Sequence, residues 1–175
     1  GLLFSIGLDP KEMLRIIKDT FDFKNVFNPD IKNIFNGNGF DNGDTLSKYV
    51  KNILERTCGN GDITFEEHYN KYNNLYTVLV FNLTKVKFEY MNNINTPSMK
   101  IVDAIRMSTS IPLLFTSILY NDDEYIDPAI FRKVFKISNK KCLIILNKEK
   151  IIEDVEQSSS IPGYLLRITK ILTSM

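Results

Sequence analysis

The sequence predicts an α/β protein with a core sheet covered on both faces. Leu75 to Leu83 (Leu-Tyr-Thr-Val-Leu-Val-Phe-Asn-Leu) is β-branched, aromatic and apolar enough to be buried on two sides, and Lys141 to Leu146 repeats the pattern. Segments of helical period, several with start signals of their own, lie before, between and after these runs, which is the alternation of an α/β fold. At 175 residues the chain suits a single domain, residues 1–175, long enough to bury a proper core.

In order along the chain, Gly1 to Leu8 reads as the last turns of a buried helix, with Gly7 just past its end. Asp9-Pro10-Lys11-Glu12 is a strong helix start, with Asp as cap and Pro at the first position. The helix it opens, to about Phe21, should turn Met13, Leu14, Ile16 and Ile17 inward. Asn25 to Gly43 reads mainly as loop with a short helical turn near Pro29 to Phe35, packed down by Phe23, Phe27, Phe35 and Phe40. Asp44 to Arg56 is helical, with Leu46, Tyr49, Val50, Ile53 and Leu54 as its apolar stripe.

Gly59 to Asp62 is a turn, and Thr64-Phe65-Glu66-Glu67 has capping-box spacing for a short helix to about Tyr72. Lys85 to Met91 alternates, Val86, Phe88 and Tyr90 against Lys85, Lys87 and Glu89, as a strand near an edge does. Beyond residue 128, a short helix at Ala129 to Phe135, the strand at Lys141 to Leu146, and helices at Glu149 to Gln157 and Tyr164 to Leu172 are expected.

The stretch Met99 to Asp127 holds these parts together. Ile101, Val102, Ala104 and Ile105 share one helical face, and Lys100, Asp103 and Arg106 fall on the other. Pro112 ends that helix, and two extended segments separated by a polar turn then lead to Asp127. Such a unit sets Ser108, Thr109 and Ser110 at a helix end and a carboxylate at the tip of a strand, where α/β folds place their chemistry.

Composition narrows the function only by exclusion. A net charge of +1 with scattered lysines offers no bulk argument for nucleic acid, and no nucleic-acid partner is expected. Cys58 and Cys142 stand in no metal-ligand spacing and suit a reducing, cytoplasmic compartment. No apolar run approaches the ~18 residues that a membrane span needs. The chain opens on Gly1 directly inside an apolar run, which suggests a fragment of a longer protein.

Several candidate motifs fail on their chemistry. His68, the sole histidine, has no partner at metal-ligand spacing, and nothing in its context supports a Ser-His-Asp triad. Gly37, Gly39 and Gly43 match neither phosphate-binding pattern and read as a flexible turn. Asn36 to Thr45 fails as a calcium loop, because Phe40 and Asp41 stand where a ligand and a glycine belong. Leu3-Phe4-Ser5-Ile6-Gly7 misses G-x-S-x-G by its first glycine, so Ser5 reads as a helix residue. No metal and no cofactor is expected. Asp127 remains, either a turn carboxylate or a catalytic one.

Asp103-Ala104-Ile105-Arg106-Met107-Ser108-Thr109-Ser110-Ile111-Pro112-Leu113-Leu114-Phe115 closely resembles the A-x-R-A-S-x-S-I-P-x-x-F segment of patatin-like phospholipases. Gly1 to Met13 resembles the helix behind their nucleophile elbow together with the start of the next. Asp62 to Glu67 followed by Leu75 to Thr84 is similar to their T-F-x-E-L and T-N-L passage, and Tyr125-Ile126-Asp127 falls where they carry Y-x-D-G-G/A. The resemblance implies a three-layer α/β sandwich with a mostly parallel central sheet, here without its amino-terminal part.

That resemblance implies a lipid acyl hydrolase, a phospholipase A-type serine esterase working by a Ser-Asp dyad on phospholipid or other acyl-lipid substrates, with contact at a membrane surface. Asp127 is then the dyad acid, while Ser108, Thr109 and Ser110 are structural. The glycine-rich oxyanion loop and the nucleophile elbow belong upstream of Gly1, so this chain alone is expected to be inactive. Pro128-Ala129 follows Asp127 where the family has glycines. That departure keeps open an inactive lipid-binding or interaction module.

Overall fold

The structure is a computed structural model describing residues 1–22, 26–37 and 39–131, with the side chains of 35–37 left aside. The expected elements at Lys141 to Leu146, Glu149 to Gln157 and Tyr164 to Leu172, the end of the one at Ala129 to Phe135, and Cys142 lie outside the described residues. The chain divides into two compact units, Gly1–Pro128 and Ala129–Met175, and every helix and strand from Leu2 to Ile126 belongs to the first.

Two short helices open it. Helix α1 (Leu2–Ser5) ends through Gly7 at φ +80°. Helix α2 (Pro10–Thr20) is capped by Asp9, whose side chain accepts from the Lys11 amide at 2.7 Å, with Pro10 at the first position, as its local code predicts. The inward turn of its apolar side is a different matter. None of its residues is buried, and Leu14 and Ile17 are among the exposed hydrophobics, because α2 meets little of the body beyond α1.

The loop after α2 is more structured than its composition suggests. Helix α3 (Lys32–Gly37) is succeeded by strand β1 (Gly39–Asp41), which the sequence did not announce. Gly39 is required there: a Cβ on it would sit 2.3 Å from the Phe115 carbonyl carbon, so only a bare backbone can approach. Phe27 packs edge-on against Phe115 at 5.6 Å, fastening the loop as expected, while Phe23 lies outside the described residues. Helix α4 (Asp44–Cys58) buries Val50, Ile53, Leu54 and Cys58 and ends on Gly59 at φ +73°. Helix α5 (Phe65–Tyr72) opens on the full capping box: the Thr64 hydroxyl accepts from the Glu67 amide, and the Glu67 carboxylate accepts from the Thr64 amide.

Strand β2 (Val78–Asn82) is shorter than the apolar run that encodes it, leaving Leu75 and Leu83 exposed. Strand β3 (Lys87–Met91) lies on an edge as expected, but Val86 belongs to the preceding turn at φ +50° and Tyr90 faces solvent, so Met91 is the buried residue. Helix α6 (Ile101–Ser108) precedes β4 (Leu113–Phe115), β5 (Ile118–Tyr120) and β6 (Asp123–Ile126), and a 3-10 turn, Pro128–Phe131, comes after them.

Among the described strands, four form a sheet of order β3-β2-β6-β5, antiparallel at each pairing, and β1 with β4 forms a separate parallel pair. The described residues are thus α/β with one parallel pair and one antiparallel sheet, and the strand expected at Lys141 to Leu146 lies outside them. The β5–β6 pairing follows from its short connection, since these strands are joined by Asn121 and Asp122, both at positive φ, as a tight hairpin requires. The core lies between α4, α6 and β2, where Leu54, Phe65, Val80, Ile101, Val102, Ala104 and Met107 are almost fully excluded from water.

Candidate functional site

Helix α6 and strand β6 meet at their carboxy-terminal ends. The Met107 and Arg106 carbonyls accept from Ser110 and Thr109 as α6 finishes. The chain then turns over Pro112, with the Ile111 carbonyl accepting from Leu114 at 3.1 Å and Phe115 at 2.9 Å and Leu113 at φ +70°. A leucine in the left-handed region is an outlier, and outliers of this kind gather near functional sites. Asp127 arrives at the tip of β6, 8% exposed, and its amide donates to the Ser110 carbonyl at 3.0 Å. The sequence-predicted carboxylate and the serine-rich helix end are thus brought together through the main chain.

Two hydroxyls of that helix end, those of Thr109 and Ser110, are occupied. Thr109 Oγ1 donates to the Ile105 carbonyl at 2.9 Å, and Ser110 Oγ donates to the Arg106 carbonyl at 2.8 Å. Both return to their own helix and act as structure.

Arg106 departs most from its pattern. Helical spacing places it with Lys100 and Asp103 on the polar face, yet it is 4% exposed. Its guanidinium donates to Ser110 Oγ at 2.8 Å and to the carbonyls of Asn42 and Thr116 at 3.0 and 3.2 Å, and lies 5.0 Å from the centre of the Phe115 ring. Burial pushes its pKa down, while the charges of Asp41 and Asp44 pull it back up. Gly43 explains how the side chain fits. A Cβ there would fall 1.8 Å from Arg106 Nε, and its φ of +76° also favours glycine, so the flexible-turn reading of Gly43 gives way to a required close approach.

The strand leading to Asp127 is held by a polar cluster that sequence pattern did not reveal. Asn82, wholly buried on β2, donates from its amide to Glu89 at 3.1 Å and to Asp123 at 3.0 Å. Lys85 pairs with Asp123, holding that carboxyl below its usual range, and Asn82 adds to the effect. The Tyr125 hydroxyl donates to Glu89 at 3.1 Å, and burial first, then the Glu89 charge, pushes it up to about 12. These bonds lock β2, β3 and β6 in register. Asn82 sits in the T-N-L passage of the resemblance, the one signal that could have singled it out.

His68 lies elsewhere. It is 1% exposed on α5, with Nε2 3.0 Å from Ser5 Oγ and its ring 5.1 and 5.9 Å from those of Tyr72 and Tyr76. Desolvation lowers its pKa. Two open grooves of about 390 and 560 Å³ flank α2 and α4 and share Asp19, Thr20 and Arg56, and neither is lined by Asp127. Among the described residues no group of three or more His, Cys, Asp or Glu is placed to hold a metal ion, and no helix is long and apolar enough to cross a membrane.

The model of a family described as Patatin-like phospholipase matches residues 1–134. The chain is also 28% identical over 158 residues, 85% of its own length, to a protein of Invertebrate iridescent virus 6 named "Probable lipid hydrolase 463L". It covers 52% of that relative, so it spans about half the length of the curated protein it matches. With the matched region running from the first helix past the 3-10 turn, the chain belongs to the patatin-like phospholipase family.

Proposed function

We propose that this chain is part of a lipid acyl hydrolase acting on acyl esters of phospholipids or related lipids, with Asp127 as the acid of a Ser-Asp dyad. The nucleophilic serine and the oxyanion loop then belong to sequence preceding Gly1. The observation that carries the reading is the placement of Asp127, a buried carboxylate at a strand tip whose amide rests on the Ser110 carbonyl, inside the segment that matches the family. A carboxylate so placed takes the serine proton as the hydroxyl attacks the ester carbonyl, and the alcohol leaves as the acyl-enzyme forms. Water then releases the fatty acid by the reverse proton path. The substrate implies work at a lipid surface, approached from the cytoplasm.

A second reading rests on Pro128. It opens the 3-10 turn directly after Asp127, at the position where family members have glycine, and suits an inactive module that only binds lipid. Full-length protein decides between the two. The hydrolase should label with a fluorophosphonate and cleave short-chain esters, and Asp127→Asn should cut the rate by about 10²–10⁴ with little change in stability. Absence of labelling and turnover in the wild type would leave the inactive module.

A further inference from the structure

We propose that Arg106 is the positioning residue of Asp127, fixing the strand tip through the main chain of Ser110; this rests on the reading of Asp127 as the dyad acid. A buried guanidinium is expensive, and an apolar side chain would often fill the same volume at no loss of stability. Here the fork does something an apolar side chain cannot. Nη1 donates to Ser110 Oγ, which donates in turn to the Arg106 carbonyl, closing a ring at the last turn of α6. Nη2 reaches away from that ring to the carbonyls of Asn42, before α4, and Thr116, between β4 and β5. One planar group therefore joins three separate segments.

The consequence falls on Ser110. Its side chain is held by Arg106 from two directions, so its peptide has little freedom to rotate, and its carbonyl is the acceptor for the Asp127 amide at 3.0 Å. A shift of the carboxylate by about 1 Å is enough to cost a dyad much of its rate. Gly43 completes the device, because its missing side chain leaves room for Nε against the backbone. Lysine cannot stand in, since one ammonium has no fork to span Ser110 on one side and Asn42 and Thr116 on the other.

The test uses the full-length protein and three variants, Arg106→Lys, Gly43→Ala and Asp127→Asn. Amide hydrogen exchange is followed at Asp127 and at Leu54, a fully buried residue of α4 that reports on the whole fold. In Arg106→Lys we expect Leu54 to stay protected while Asp127 exchanges about tenfold faster or more. The same variant should lose about tenfold or more in kcat at a KM within about twofold, with a displaced pH–kcat limb. Gly43→Ala should reproduce the pattern while touching neither Asp127 nor Ser110. A merely structural Arg106 would lower the active fraction without moving the limb.

Unchanged exchange at Asp127 in both variants overturns the proposal, as does loss of Leu54 protection in both, which would make Arg106 a general scaffold residue. If Asp127→Asn leaves ester cleavage unchanged, the dyad reading falls instead, and exchange at Asp127 still decides whether Arg106 holds the strand tip.

Discussion

Helices α2 and α6 are both amphipathic, and α2 divides its apolar and polar sides more cleanly. Yet α6 buries five of its eight residues and α2 none of its eleven. The difference lies in what surrounds them. α6 is packed against β2, α4 and β6, so even Arg106 of its polar side is enclosed while Asp103 stays exposed, whereas α2 rests chiefly on α1 and keeps Leu14, Ile17 and Phe21 in water. Periodicity identifies the side of a helix that can be covered. Only the rest of the fold determines whether one side, both or neither is.

Mutations put that contrast between the two helices at risk. Met107→Ala on α6, fully buried, should lower the urea-unfolding free energy of the chain by about 2–5 kcal/mol. A cost below about 1 kcal/mol would mean that the α6 packing is loose. The joint between α1 and α5 should reveal itself by pH. His68 has its pKa depressed in the fold, so the unfolded chain binds the extra proton more readily. Stability is therefore full above the ordinary value of about 6.5 and declines as pH falls from there through the lowered folded value. Unfolding midpoints at successive pH values should slope down across that window in the wild type and lose the slope in His68→Gln. Thr64→Ala removes the capping box of α5 and should cost about 1 kcal/mol by the same urea measurement. Smallest of all, Leu14→Ala on α2 should change stability by less than about 0.5 kcal/mol. A loss of about 2 kcal/mol or more there would show α2 covered in solution and erase the difference between the helices.

What the sequence disclosed was written in local code. The Asp9 cap, the Thr64–Glu67 box, the glycines at helix ends and the arrival of Asp127 at a strand tip each depend on residues a few positions apart, and each is found. What it concealed depends on partners far along the chain. β1 exists because Gly39 meets Phe115, and Arg106 is buried because Asn42 and Thr116 supply its acceptors. The antiparallel sheet follows from pairings between strands, which no single strand encodes. Within the site, resemblance singled out Asp127 and assigned the serines to structure. The polar cluster around Asn82 gave no periodic signal, because its members come from three strands.

The contact between Ser5 and His68 bears on where a proton lies. A serine hydroxyl has one hydrogen to give, and that of Ser5 goes to the Leu2 carbonyl at 2.7 Å. With that bond made, the 3.0 Å approach to Nε2 is completed by the imidazole as donor, in the tautomer protonated at Nε2. A general base must offer a lone pair to the hydroxyl it activates, and in that tautomer this nitrogen has none to offer. In that tautomer the one serine–histidine pair among the described residues runs in the wrong direction for nucleophilic catalysis, and the contact ties α1 to α5.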